Sequence, residues 1–194
     1  LMGNARHLAR GLRELGSTGR AIADLGAGDG WGAVAWAVRL PPGPSRRLVL
    51  VDRAECLQSE ARAALEALGW ELVLLTGEIP GVLRREGAPE FETVVANLFL
   101  HHLEGGRLAE LFAWLGAVCH GAVFCEPRRS WLAWGAASLL GAVGCGPVTR
   151  HDARVSVRAG FAGRELAGLW PQAGWRIQEG RAGLFSHLFV ARRR

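Results

Sequence analysis

The residues with the clearest chemical potential are Asp24-Leu25-Gly26-Ala27-Gly28-Asp29-Gly30, set between an apolar run and a helical one. Glycines there let the backbone turn tightly and let a ligand approach without meeting a Cβ. The helix that follows directs its first amides at the same spot. A dinucleotide would bring a pyrophosphate, whose fingerprint is G-x-G-x-x-G or -A. Counted from Gly26, the last position is Trp31, which fails. Counted from Gly28, the run to Ala33 matches formally but places Asp29 among the phosphates. The carboxylates of Asp24 and Asp29 suit a cation instead. Asp52 ends the next apolar run, where an acidic side chain can hold both ribose hydroxyls of a nucleoside. The pattern therefore points to a nucleoside that carries positive charge rather than phosphate.

Three histidines are candidate bases, since imidazole accepts protons near neutral pH. His101 and His102 follow the fourth apolar run, and backbone alternation sends one of the two into a cleft at the strand ends. His151 adjoins Asp152, whose carboxylate would raise its basicity. Glu126-Pro127-Arg128-Arg129 closes the fifth run, and its arginines read either as ligands for an acidic acceptor or as caps of the next helix. Adjacent histidines seldom face one ion and no carboxylate set accompanies them, so no metal site is expected.

These residues need a scaffold, and the alternation of runs supplies one. Strands are predicted over 20–25, 47–52, 70–75, 93–98 and 122–125, with helices over 1–16, 31–40, 57–68 and 108–118. Strands alternating with helices form a parallel sheet covered on both faces. Near the end, runs at 175–179 and 184–191 are separated only by Gly180-Arg181-Ala182-Gly183. So short a link makes an antiparallel hairpin, and the sheet ends on a reversed strand. At 194 residues the chain is expected to form a single domain over 1–194. Within it, 1–19 is an N-terminal helix whose abrupt start reads as trimmed. Region 128–160 is an apolar helical insertion, and its stretch 131–143, with Trp131, Trp134, Leu139 and Leu140, is suited to a lid over a hydrophobic acceptor.

Composition narrows the partners. Hydrophobic residues at 49% and charged ones at 21% exclude a disordered chain. The net charge is +5 and all 23 basic residues are arginine, but they are scattered apart from Arg128-Arg129 and Arg192-Arg193-Arg194. Nucleic-acid binders concentrate charge on one face, so that class is disfavoured. Positions 130–149 carry no charge, close to the roughly 20 residues a membrane span requires. Glycines and Pro147 interrupt the stretch, so a buried or pocket-lining helix is expected, with peripheral membrane contact left open. Cys56, Cys119, Cys125 and Cys145 form no CxxC pair. Free thiols, two of them beside or on an apolar strand, fit a reducing, cytoplasmic compartment.

The run from Asp24 to Gly30, the strand-end Asp52, Asn97-Leu98-Phe99-Leu100-His101-His102 and the closing hairpin together resemble class I, Rossmann-like methyltransferases dependent on S-adenosylmethionine. That cofactor bears an ammonium and a sulfonium and no phosphate. The resemblance implies an α/β three-layer sandwich with a mostly parallel seven-stranded sheet whose last strand is antiparallel. It implies that Asp24, Gly26, Ala27, Gly28 and Gly30 line the methionine part, that Asp52 and Arg53 hold the ribose, and that Asn97 and Leu98 lie beside the sulfonium. Glu78 stands where the family often has an Asp after strand three to contact the adenine amine. More narrowly, the run Asn97 to Leu103 resembles enzymes of ubiquinone and menaquinone biosynthesis, and Ser156 to Phe161 resembles polyketide-associated relatives. The acceptor so implied is a small aromatic, quinone-like or polyketide-derived molecule methylated on oxygen or carbon, leaving S-adenosylhomocysteine. The basic balance supports an alternative, an RNA or protein methyltransferase. A third reading is a catalytically silent, cofactor-binding partner subunit.

Overall fold

A seven-stranded sheet, in the order β3-β2-β1-β4-β5-β7-β6, organises the chain. The computed structural model describes residues 3–16, 20–41, 46–85, 87–139 and 146–194. Leu140, Val143 and Cys145 lie outside the described residues. The strands are β1 Ala21–Leu25, β2 Arg46–Asp52, β3 Trp70–Thr76, β4 Thr93–Asn97, β5 Gly121–Pro127, β6 Trp175–Ala182 and β7 Ser186–Arg193. Strands β1 to β5 are parallel, and β7 runs against both β5 and β6. The reversed strand expected from the short link at 180–183 is therefore present.

Helices cover both faces, which is why β1 and β5 read as nearly continuous apolar runs rather than alternating ones. On one face lie α1 (Asn4–Leu15), α2 (Trp31–Ala37) and α3 (Ser59–Ala67). Leu8, Leu12 and Leu15, at helical spacing, turn the apolar side of α1 inward against Val123 and Val190. On the other lie α4 (Gly81–Arg84), α5 (Gly105–Val118) and α8 (Glu165–Leu169). Phe112, Phe124 and Phe189 stack there at 5.3 to 6.1 Å between ring centres, with Trp170 closing the cluster.

Two segments differ from the sequence-based expectation. The hairpin turns at 183–185, so Gly180 and Arg181 extend β6 rather than forming the bend. β6 is an edge strand whose Gly180 faces open space, so no side-chain packing is lost there. Region 128–160 contains two helices, α6 (Trp131–Leu139) and α7 (Pro147–Ala159). Pro147, taken as an interruption, is instead the first residue of α7, where its missing N–H costs nothing.

Candidate active site

The chain runs outward from β1 to β3 and then returns to place β4 on the other side of β1. Open α/β sheets bind ligands at such a switch point, outside the carboxyl ends of the strands. Leu25 pairs with Val51 on one side and Ala96 on the other, so the strand ends are level. Above them opens a cleft of about 480 Å³, bounded by Gly26, Asp52 and Arg53 on one side and by Leu98, Phe99 and His102 on the other. Glu78 and Ile79 close its far end.

The glycine turn is pinned from below, Gly26 and Ala27 both donating N–H to the Val51 carbonyl at 2.8 and 3.1 Å. Gly28 adopts φ +55°, and a Cβ there would meet nothing within 4 Å, so its outer face is free for a ligand. Gly26 has a different reason to lack a side chain, because a Cβ would lie 2.4 Å from the Phe99 ring. Asp52 ties the two strand ends together, its Oδ2 accepting from the Gly28 N–H at 2.9 Å. Ala27 lines a small annex of the cleft with Gly28, Asp52, Leu57 and Thr76. Asp29 is exposed and its Oδ1 accepts from the Trp31 N–H at the start of α2.

Asp24 sits beneath this turn. Its carboxyl is 3% exposed and accepts a hydrogen bond from Trp36 Nε1 at 3.2 Å. Burial raises its pKa to about 7; the Trp36 hydrogen bond opposes the rise and the nearby charge of Asp52 adds to it. Glu78 is exposed at the rim, where Arg107 donates to its Oε2 at 3.1 Å and to the Ile79 carbonyl at 3.3 Å.

Opposite the glycine turn, Leu98 stands at φ +56°, a left-handed conformation that side chains rarely adopt. Three contacts hold it there. Its N–H donates to the Cys125 carbonyl at 2.9 Å. Asn97, one residue earlier, accepts at Oδ1 from Asn4 Nδ2 on α1 at 2.9 Å, and Asn4 in turn accepts from the Ser186 hydroxyl on β7. The residues after Leu98 are gripped by Glu126, whose side chain is fully buried. Its Oε1 accepts from the Phe99 and Leu100 N–H groups at 3.0 and 2.9 Å. Its Oε2 accepts from the His101 N–H at 3.4 Å and lies 2.8 Å from His101 Nδ1.

Glu126 therefore fixes the His101 ring through Nδ1 and its backbone N–H together. The other nitrogen, Nε2, is buried without a hydrogen-bond partner. His102 points differently, being exposed and part of the cleft wall. Burial, and behind it charge on His101, hold its pKa below the ordinary 6.5, with Glu126 pulling the other way.

The cleft thus gathers Gly26, Asp52, Arg53, Glu78, Leu98 and His102, with Ala27 and Gly28 in its annex. His101 and Asn97 stand behind the same wall. His151 is exposed on α7, which packs against the Leu100–His102 turn, and among the described residues it forms no ion pair with Asp152. Arg129 neither caps α6 nor faces the cleft; it donates to the Gly160 carbonyl at 3.0 Å and pairs with Glu165. Sequence reasoning passed over Glu126, Asn4, Phe99 and Arg107. Only Glu126 left a signal, as a lone acid ending an apolar strand.

No protein-family model and no curated protein matches the sequence. Solved structures do match. An O-methyltransferase family protein from Burkholderia thailandensis superposes with a TM-score of 0.63 at 18% identity, over 97% of this chain and 56% of that one. The plantazolicin methyltransferase BpumL, solved with a monoazolic desmethylPZN analog and SAH, gives 0.69 at 13% identity over 100% and 83%. The methyltransferase domain of bacterial CtHen1-C gives 0.61 at 15% identity over 97% of both chains. The chain spans little more than half the length of the Burkholderia protein. At these identities the likeness defines the fold, which is the α/β fold of class I methyltransferases.

Proposed function

We propose that the chain is an S-adenosylmethionine-dependent methyltransferase acting on oxygen or carbon of a small, largely apolar acceptor of aromatic, quinone-like or polyketide type. One arrangement carries the reading. A nucleoside-sized cleft has Asp52 and a bare glycine turn on one side and His102 in the opposite wall, with His101, held by the buried Glu126, directly behind that wall.

The residues present fit the cofactor. Asp52 is at the strand end where a ribose diol would lie, and no basic side chain stands in the glycine turn to receive a phosphate. The open face of Gly28 admits the backbone-like methionine portion, and Glu78 is placed at the rim for the adenine amine. Asp24, beneath the turn, holds Trp36 near the end of α2. When bound, S-adenosylmethionine supplies a methyl group on a sulfonium, with S-adenosylhomocysteine as the leaving product.

The chain's own task is to hold the acceptor in line, exclude water and remove a proton. His101 is assigned that last step. Its Nε2, buried behind the wall without a partner, takes the acceptor proton when the acceptor displaces that wall, and the Glu126 carboxyl group at Nδ1 holds the ring in place. The acceptor oxygen or carbon, so freed of its proton, would be the nucleophile held in line with the methyl group that a cofactor seated on Asp52 and the glycine turn would supply, its sulfur leaving as the thioether. His102 lines the cofactor side of the wall, and nothing orients its ring as Glu126 orients His101.

Calorimetry with S-adenosylmethionine and NADH, beside an Asp52→Ala variant, tests the cofactor. S-adenosylmethionine binds and the variant binds at least about tenfold more weakly, as loss of hydrogen bonds to a charged group predicts. NADH does not bind. In a screen of phenolic and quinol acceptors, His101→Gln keeps cofactor affinity and loses roughly 10²- to 10⁴-fold in turnover, more than His102→Gln. NADH binding would overturn the cofactor, and full turnover by His101→Gln would overturn the base.

A further inference from the structure

Helix α6 is amphipathic in the wrong sense for a surface helix. It buries small residues, Ala133 at 3% and Ala137 at 6% exposure. It exposes its large apolar ones, Trp131 at 84%, Trp134 at 42% and Leu132 at 38%. Helical geometry stacks Trp131 on Trp134 and Ala133 on Ala137, the two pairs lying on adjoining faces. Monomeric surfaces rarely expose clustered large apolar groups without a partner.

Arginines lie beside α6 in the chain and on the helix packed against it. Arg128 precedes α6, and α7, which packs on α6, carries Arg154 and Arg158 four residues apart. Among the described residues neither Arg154 nor Arg158 forms an ion pair. The exposed acid on α7 is Asp152, and Arg129 is already neutralised by Glu165. Helix α6 itself has no charged residue.

Exposed tryptophans on an uncharged helix, bordered by free arginines, match the boundary between acyl chains and anionic headgroups. We infer that α6 and the neighbouring arginines form a docking surface for an anionic lipid bilayer, with Trp131, Leu132 and Trp134 entering the headgroup–acyl boundary. A second copy of the chain fits less well, because a twofold contact through this face sets arginine against arginine. Single-stranded RNA fits less well too, since beside the tryptophans α6 offers Ser138 alone as a polar side chain, and that hydroxyl is bonded to the Trp134 carbonyl. The inference does not rest on methyl transfer. Its functional sense follows if the acceptor is apolar, because α6 begins just beyond the end of β5, on the edge where the cleft opens.

The test is co-sedimentation of the full 194-residue chain with vesicles of phosphatidylcholine, with and without phosphatidylglycerol, across a salt series. Wild type pellets with the anionic vesicles and is released as salt rises. The Trp131→Ala/Trp134→Ala protein, both changes being at the surface, keeps its melting temperature and S-adenosylmethionine affinity and partitions about tenfold or more weakly, from the apolar area withdrawn. Arg154→Gln/Arg158→Gln lowers binding to anionic vesicles only. Three results overturn the inference: no vesicle binding by wild type, a lipid-free dimer abolished by the tryptophan substitutions, or binding to a single-stranded RNA oligomer lost with them.

Discussion

Replacing Asp24 by asparagine should make the protein more stable at pH 8 and leave it unchanged near pH 4. Asp24 is buried under the glycine turn and meets one donor, Trp36 Nε1. Removal of water from the carboxylate lifts its pKa from 3.8 to about 7 in the folded chain. In the unfolded chain it titrates near the ordinary value. Between those two pH values the folded state holds a proton the unfolded state has lost, so stability falls as pH rises. Below pH 4 both states are protonated and the stabilising contribution is complete. Above pH 7 both are ionised and it is gone. The interval corresponds to about 4 kcal/mol. Asparagine keeps an oxygen for Trp36 and carries no charge at any pH. The quantity to follow is the difference in unfolding free energy between variant and wild type, by denaturant melts from pH 4 to 8, which cancels every other titrating group. It should climb from near zero to as much as about 4 kcal/mol in favour of the variant, or about 8–16 °C in melting temperature for a domain of this size. A flat difference would refute the reasoning. So would a variant less stable than wild type at pH 8, since Asp24 would then have to be ionised and well paired when folded.

Glu126→Gln replaces the buried carboxyl group that meets three backbone N–H groups and His101 Nδ1. The amide cannot accept from all four, so stability should fall by roughly 2–4 kcal/mol in thermal melts, and turnover should fall further than folded fraction explains; a loss of stability with kcat intact would reduce Glu126 to a staple. Gly26→Ala forces φ +71° on a residue with a side chain and drives its Cβ into Phe99, which should cost roughly 2–5 kcal/mol. Adding Phe99→Ala should recover the packing part of that loss, and strict additivity in the double-mutant cycle would show that the ring is not what Gly26 makes room for.

What could be read from the sequence follows from how locally each feature is encoded. The parallel strands announce themselves because burial leaves five largely apolar runs, interrupted only at places such as Asp24 and Glu71, and the hairpin because a four-residue link permits nothing else. The glycine turn and Asp52 are legible for the same reason, each being a residue type forced by one local demand. Helix α7 was not legible, since it is only half-buried and mixes Arg, His and Asp with isolated valines, so no apolar stripe stands out. The orientation of α6 could not be read either. An uncharged helix shows no polar side, and whether its tryptophans face in or out is decided by what α7 packs against.

Glu126 shows where a residue-type reading goes astray even when the residue is in view. In Glu126-Pro127-Arg128-Arg129 the paired arginines attract attention as the larger charge, yet they sit beyond the strand, and Arg129 is spent on the Gly160 carbonyl and Glu165. The acid is the one still inside the sheet, on the face opposite Cys125, and burial there leaves it no choice but to find donors. The nearest are the free N–H groups of the Leu100–His102 turn, which a short helical turn cannot satisfy internally. The same logic repeats two strands over: Glu179 on β6 has a fully buried side chain, accepts from the Leu166 and Ala167 N–H groups at the start of α8, and lies 2.6 Å from His187 Nε2. His187 is register partner to Glu126. Two buried glutamates on the same sheet thus each grip a turn and a histidine, and they differ in place. The Glu179–His187 pair is enclosed by β6, β7 and α8, away from the switch point. The Glu126–His101 pair lies directly behind the cleft wall with Nε2 buried and without a partner, which is why the base proposed above is sought there and not at His187.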